Sequence, residues 1–285
     1  MRYENIVVTG GSGRLGRHVV ELLAPQAKLT VIDVAPPARD DVAHENVSIT
    51  DYEALKRVFA DKDAIVHLAA IPNPRTSSPE KCFGVNTTGT WAVLQAAEDA
   101  GVKRVIVCSS DSTTGLHYNP PGWSPQFLPV DETHPLRAIE PYSLSKVVTE
   151  VVARSFADRG KLEILVIRPA HIVFEPEYPE IADRGSDVQN YHLWGYVAPE
   201  DVAEGFRLAL EIEDGSYDVF FIAAEDGMNT RPTLELLKER FGEVPEVRNA
   251  ELYKSNPTAA VFGIDHARKK LGYAPSKTWR DFKKA

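Results

Sequence analysis

The run Asn5-Ile6-Val7-Val8-Thr9-Gly10-Gly11-Ser12-Gly13-Arg14-Leu15-Gly16 decides how the rest of the chain is read. Five strand-prone residues lead into a glycine cluster, and apolar residues then recur at helical spacing over 14–23. The glycines can be taken as Gly11-x-Gly13-x-x-Gly16 or as Gly10-x-x-Gly13-x-x-Gly16. Either reading needs the same physics. A tight turn, a close backbone approach to a pyrophosphate and close helix–strand packing each exclude a Cβ. The helix start at Arg14, Leu15 and Gly16 offers N–H groups and a positive dipole end to phosphate oxygens. A glycine triplet alone is only a turn; its place between a strand and a helix makes it a dinucleotide fingerprint.

Outward from that motif, the next strand pattern, 28–33, ends in Asp33, about 20 residues past the glycines. A carboxylate there suits the adenosine ribose hydroxyls and repels a 2′-phosphate, which points to NAD over NADP. Further apolar runs at 64–68, 104–109, 163–168 and 218–223 alternate with helical patterns at 52–60, 83–100, 142–159 and 200–212. This alternation predicts an α/β fold, a doubly wound parallel sheet of the Rossmann type. Residues 1–170 are read as its NAD-binding core. Residues 171–285 are read as a mixed region holding substrate loops, a returning core strand and a small C-terminal substrate-binding lobe. That lobe has helical patterns at 232–241 and from Asp265. Segments 115–141 and 174–198 interrupt the rhythm and are longer than ordinary connections, so they are read as functional loops.

The composition narrows the function classes. A chain of 285 residues with 43% hydrophobic content suffices for one large α/β domain with a proper core. Acidic residues outnumber basic ones by 41 to 32, a net charge of −9, so the basic footprint of a nucleic-acid binder is missing. No apolar run approaches the roughly 18 residues of a membrane span. Cys82 and Cys108, the two cysteines, lie in segments read as packed structure, so no disulfide is expected, and no metal site is read. The first strand starts at Asn5 with no charged leader or apolar h-region before it, which sets the expectation of a cytoplasmic protein.

Tyr142-Ser143-Leu144-Ser145-Lys146 places a phenol and an ammonium on one helix face. Tyr52 and Lys56, and Tyr273 and Lys277, share that spacing, so context must choose among them. Tyr142 follows Pro141 at a helix start, and it comes 32 residues after Ser110, which ends a strand pattern. In a doubly wound sheet ligands bind at the carboxyl ends of the strands. Removing hydride from a carbinol carbon also requires removing the hydroxyl proton. A phenol of ordinary pKa, about 10, is a poor base unless a nearby cation favours the phenolate. A serine hydroxyl can hold the substrate oxygen as its charge changes.

These landmarks join others: Thr9-Gly10-x-x-Gly13-x-x-Gly16, Asp33, His67-Leu68-Ala69-Ala70, Val85-Asn86-x-x-Gly89-Thr90, Ser109-Ser110 with Gly115, Tyr142-x-x-x-Lys146, Arg168-Pro169, and Leu271-Gly272-Tyr273-x-Pro275. In this order the chain resembles the extended short-chain dehydrogenase/reductases, the NAD-dependent epimerase/dehydratase group. Its site pattern is most similar to the short uronate and sugar dehydrogenases. The resemblance implies that Ser110, Tyr142 and Lys146 form the catalytic triad, with Lys146 also holding the nicotinamide ribose. It implies that Leu68, Ala69, Ala70 and Pro169 line the dinucleotide, and that Asn86 supports that region and the lysine. Ser48 and Ile49 match the adenine end, where the family often has Asp; Asp51 reads instead as a helix cap. Ile71, Asp111, Ser112, His171, Arg184 and Trp194 are the expected substrate residues.

The segment after Arg168 departs from the nucleotide-sugar epimerases. Only 33 positions separate Arg168 from Asp201, and the approach Leu193-Trp194-Gly195-Tyr196-Val197 has no arginine. By resemblance, the Ser and Arg that bind a uronate carboxylate align with His171 and Glu180. The expectation is therefore an oxidoreductase passing hydride from a sugar or sugar acid to NAD. The alternatives are a nucleotide-sugar epimerase, like UDP-glucose 4-epimerase, or a dehydratase with internally recycled NAD, and beyond these a non-catalytic dinucleotide sensor. His117, Tyr118 and Trp123 in one loop, and Tyr191 and His192 with His171 and Trp194 in the other, suit a small polyol. His171 and at least one of these aromatics are expected to border the nicotinamide end. A homodimer through helices 83–100 and 142–159 is the family's pattern.

Overall fold

The computed structural model describes residues 1–73, 75–117 and 122–282, so Tyr118 lies outside the described residues. The main sheet contains β1 (Asn5–Thr9), β2 (Lys28–Ile32), β3 (Ala43–Glu45), β4 (Ala64–His67), β5 (Arg104–Cys108), β7 (Glu163–Pro169) and β8 (Tyr217–Ile222), in the order β3-β2-β1-β4-β5-β7-β8. β6 (Phe127–Leu128) pairs in parallel with β9 (Glu246–Val247) as a separate ribbon. β1 lies parallel to both β2 and β4, with Thr9 opposite Ile32 on one side and His67 on the other. The chain order of the strands reverses there, between β1 and β4. The turns that follow these two strands leave at the carboxyl edge, where a doubly wound sheet binds its ligand. Strands β1, β2, β4 and β5 are buried almost throughout, which explains their continuous apolar runs.

The helices are α1 (Arg14–Leu23), α2 (Tyr52–Phe59), α3 (Pro79–Ala100), α4 (Pro141–Asp158), α5 (Ile181–Ser186), α6 (Pro199–Glu211), α7 (Thr233–Phe241), α8 (Ala250–Ser255) and α9 (Asp265–Leu271). Asp51 does cap α2, accepting from Ala54 N at 3.0 Å. α3 starts earlier than the hydrophobic period suggests, because Ser78 caps it and Pro79 occupies its first turn. Segment 174–198 is not plain loop: it forms a 3₁₀ turn over Glu175–Glu180 and then α5.

The chain divides into two compact units, each built from separated stretches. The first takes Met1–Ser110, Glu140–Ile167 and Ala203–Val219; the second takes Asp111–Ile139, Arg168–Val202 and the chain from Phe220 on. Residues 111–139 belong with the later unit, and 203–219 return to the first. The core of the first unit gathers Val7, Ile65, Val105 and Ile164 from the sheet with Leu55, Phe59, Val93, Ala97 and Phe156 from α2, α3 and α4. Burying each large side chain contributes about 1.5–3 kcal/mol relative to leaving it exposed. The second unit has a smaller cluster of Val173, Ile181, Tyr196, Ala224 and Met228.

Candidate active site

The turn after β1 is shaped for a phosphate. Gly10 has φ +73°, and a Cβ on it would sit 2.7 Å from Ala69 N, so the β1 and β4 turns touch there. A Cβ on Gly16 would collide with Gly10 O, so α1 could not lie this close to the strand. Gly13 caps α1 with no side-chain hydrogen bond, so no cap side chain occupies the N–H groups of the first turn, those of Leu15 and Gly16 among them, and a helix start of this kind suits a phosphate. The Asp33 carboxylate stands beside the turn and accepts from Ser12 N at 3.1 Å and Ala35 N at 3.2 Å. The residues present thus fit a dinucleotide. At the adenine end, Ser48 Oγ pairs with Thr50 Oγ1 at 2.8 Å, and Ile49 packs in the core of this unit.

The turn after β4 is held by side chains. Ala69 N donates to Thr9 Oγ1 at 3.3 Å, and Thr9 Oγ1 lies 2.7 Å from His67 Nδ1. His67 Nε2 meets Thr90 Oγ1 of α3 at 3.1 Å. Burial pushes the His67 pKa down to about 3, with the Lys146 charge adding to the shift, so this imidazole is neutral in the folded protein. Asn86 closes the same turn. Its Oδ1 accepts from Ile71 N at 2.8 Å, while its Nδ2 donates to Ile71 O at 3.2 Å and to Ser145 Oγ at 2.9 Å. One amide therefore ties the dinucleotide turn to the residue preceding Lys146.

Helix α4 presents the expected catalytic pair, Tyr142 and Lys146. Glu140 caps it, accepting from Tyr142 N at 2.8 Å and Ser143 N at 2.5 Å, which fixes the first turn that carries Tyr142. Lys146 is buried and donates to Cys108 O at 2.7 Å. Its ammonium lies 5.8 Å from the Tyr142 ring centroid. Burial lowers its pKa, opposed by the nearby thiols and Glu150. Ser110 follows the end of β5 and is buried. Its neighbour Ser109 donates to Glu150 Oε1 at 2.5 Å, one helical turn beyond Lys146. Ser110, Tyr142 and Lys146 thus belong to one unit, on the strand end and helix that the sequence indicated. Glu150 and Ser109 were not foreseen, although Glu150 stands at i+4 from Lys146.

The second unit holds a polar cluster of its own. Asp111 and Ser112 form a buried 3₁₀ turn with Thr113 and Thr114. Asp111 Oδ2 lies 3.4 Å from His117 Nε2. The His117 and His192 rings meet edge-on at 5.1 Å, and His192 stacks on His171 at 3.9 Å. Tyr191 lies 4.0 Å from His192. His171 Nε2 is 3.0 Å from Glu177 Oε2, which also accepts from Arg184 Nη1 at 2.8 Å. Arg184 Nη2 reaches Glu180 at 2.6 Å. Burial would raise the Glu177 pKa, yet His171 and Arg184 hold it down at about 2. His171, Arg184, Tyr191, His192, His117 and Asp111 are therefore brought together. Trp194 is instead enclosed in the interior, its Nε1 donating to Asp187 O at 3.1 Å. Trp123 lies under the Arg137 guanidinium at 4.8 Å. Glu177, the centre of the cluster, carried no sequence signal, because it sits in an irregular, charge-rich stretch. Among the described residues no group of three or more His, Cys, Asp and Glu is arranged to hold a metal ion, and no helix is long and apolar enough to cross a membrane.

The L-arabinose 1-dehydrogenase (NAD(P)(+)) of Haloferax volcanii is 31% identical over 78% of this chain and 89% of its own. The UDP-glucose 4-epimerase of Streptococcus mutans is 24% identical over 95% of this chain and 91% of its own. A short-chain dehydrogenase/reductase superfamily protein from Agrobacterium tumefaciens, solved with bound NAD, superposes with a TM-score of 0.74 at 23% identity, covering 98% of this chain and 94% of that one. Residues 6–223, from the first strand of the glycine turn to the end of the main sheet, match the NAD dependent epimerase/dehydratase family. That match takes in the glycine turn, the acidic strand end and the helix of Tyr142 and Lys146, and the chain belongs to the NAD-dependent epimerase/dehydratase family.

Proposed function

We propose that this enzyme is a dehydrogenase that oxidises a carbinol carbon of a free sugar or sugar acid, with NAD exchanged each cycle. The observation that carries this reading is the short segment between β7 and α6. It lacks the arginine that would grip a nucleotide diphosphate on the approach to α6, and Arg184 is tied to Glu177 and Glu180. The dehydrogenase at 31% identity supports it. The UDP-glucose 4-epimerase relative, which spans nearly the whole chain, keeps a nucleotide-sugar epimerase as the second reading.

Bound NAD supplies the hydride acceptor. Gly10, Gly13, Leu15 and Gly16 would hold its pyrophosphate, and Asp33 its adenosine ribose in preference to a 2′-phosphate. Tyr142 takes the hydroxyl proton onto its phenolic oxygen as the carbinol C–H bond breaks and the carbonyl forms. The Lys146 charge beside the ring lowers the cost of the phenolate, and Ser110 donates to the substrate oxygen. Asp111, Ser112 and His171 receive the sugar hydroxyls. Trp91, Leu144 and Val151 expose apolar surface on α3 and α4, which supports a homodimer through those helices, and the expected setting is the cytoplasm. The test is incubation with NAD and a panel of free aldoses, uronates and nucleotide sugars. Net NADH with a free sugar is the expected result. Isomerisation of a nucleotide sugar without net NADH, with no free sugar oxidised, would overturn the reading.

A further inference from the structure

The charges of the second unit's polar cluster bear on what kind of sugar it takes. Arg184, the guanidinium bonded to the side chains of this cluster, is spent. Nη1 is bonded to Glu177 at 2.8 Å and Nη2 to Glu180 at 2.6 Å, so both terminal nitrogens already hold a carboxylate. The backbone at this point is also fixed, since Asn190 Nδ2 donates to Arg184 O at 2.7 Å. Glu177 is shared further, with His171 Nε2 at 3.0 Å, so the imidazole that would face a sugar hydroxyl is oriented by an acid. At the far side of the stacked histidines stands a third carboxylate, buried Asp111, 3.4 Å from His117. Glu177, Glu180 and Asp111 thus lie with Arg184 around His171, His192 and His117.

We propose that the site selects against anionic sugars: its substrate is a neutral free aldose, and Glu177 and Glu180 are the specificity residues that cancel Arg184. This rests on the dehydrogenase reading above and on seating the sugar at this cluster. An incoming uronate carboxylate or sugar phosphate gains nothing at Arg184 unless it displaces Glu177 or Glu180. Displacing Glu177, whose side chain is 19% exposed, exchanges one carboxylate for another and leaves the expelled one close by in a partly desolvated place, where like charges repel. A neutral sugar meets no such cost. It needs only donors and acceptors in fixed places, which the oriented imidazoles and the Ser112 hydroxyl provide. The low pKa of Glu177 keeps this arrangement charged throughout the neutral range.

D-Galactose and D-galacturonate differ only at their last carbon, a hydroxymethyl against a carboxylate, as do D-glucose and D-glucuronate. The measurement is kcat/KM with saturating NAD for each pair, with L-arabinose as a further neutral sugar. It is run on the wild type and on Glu180→Gln, whose replaced side chain is 62% exposed and so is tolerated by the fold. In the wild type the neutral member of the preferred pair should lead by roughly tenfold or more. Glu180→Gln removes the negative charge opposite Arg184 Nη2 while keeping an acceptor there, and should narrow that ratio severalfold. Direct binding gives a second readout: the galacturonate affinity of the NAD complex should rise in the variant. A uronate oxidised as well as its neutral partner would overturn the inference while leaving the dehydrogenase reading intact. An unchanged ratio in Glu180→Gln would overturn the assignment of the sugar to this cluster. Isomerisation of a nucleotide sugar, with no free sugar oxidised, would remove both.

Discussion

Replacing His67 with glutamine should make the protein less stable at neutral pH and, at the same time, less sensitive to acid. His67 is 3% exposed and bonded on both ring nitrogens, to Thr9 and Thr90. Its folded pKa is lowered to about 3 by burial and then by Lys146, from an ordinary value of 6.5. Below pH 6.5 the unfolded chain takes up a proton that the folded imidazole refuses. Stability is therefore full above that pH and falls as the pH drops toward 3, at about 1.4 kcal/mol per pH unit for this one group. At pH 5 the loss attributable to His67 is about 2 kcal/mol, a large share of a typical total stability of about 5–15 kcal/mol. Glutamine keeps one donor and one acceptor but does not titrate. It should cost about 1–3 kcal/mol at pH 7 through poorer bonding to the two threonines. The assay is urea unfolding of both proteins between about pH 7 and pH 5, read as midpoint times slope. Other groups titrate equally in both, including buried His134, whose pKa burial also lowers, so the difference between the two pH profiles isolates His67. Parallel profiles would refute the reasoning, because they would mean that the folded protein protonates His67 as readily as the unfolded chain does.

Tyr142→Phe removes only the hydroxyl and should leave NAD affinity nearly unchanged while turnover drops by roughly 10²-fold or more; near-normal turnover sinks the proton-transfer role. Tyr52→Phe is the matched control, since that hydroxyl is bonded to Asp99 on another face. Tyr273→Phe is a poorer control, because its buried hydroxyl donates to Ala223 O at 3.2 Å and its loss should cost stability. Asp33→Ala should narrow the preference for NAD over NADP, measured as the ratio of dissociation constants by fluorescence titration; a wild type that binds both equally well contradicts the role given to Asp33.

What the sequence made legible was local. The strand–turn–helix at residues 5–23, the acidic strand end at Asp33, the Asp51 cap and the helix face shared by Tyr142 and Lys146 all follow from spacings within a few residues. The start of α3 was misjudged because Phe83 begins the hydrophobic pattern, whereas Ser78 and Pro79 set the helix boundary through capping. The polar cluster of the second unit was only half legible. His171 and Arg184 stood out as residue types, but their joint partner Glu177 lies on a 3₁₀ turn that no periodicity announces. Arg184 thereby changes from a prospective anion ligand into a cation already shared by two carboxylates. Trp194 belongs to the same lesson. A tryptophan in a loop reads as a lining residue, yet this one is 0% exposed and adopts φ +59°, a left-handed turn shared with Leu193 that folds the indole inward.

The alternating assignment of the chain to two units has a practical corollary for engineering. Two of the second unit's three stretches lie between pieces of the first and the third follows its last piece, so no single cut of the backbone releases either unit as a contiguous fragment. Specificity cannot be transplanted by joining one protein's first half to another's second half. Such a chimera would carry residues 111–139 from one parent and 168–202 from the other, dividing Asp111 and His117 from His171, Glu177 and His192. A workable exchange must move those two segments together with the chain from Phe220 onward, leaving the glycine turn, β5 and α4 untouched. Drift in the recipient stretches is correspondingly free of drift in the cofactor-binding ones, which is a route by which one hydride-transfer scaffold can come to serve many sugars.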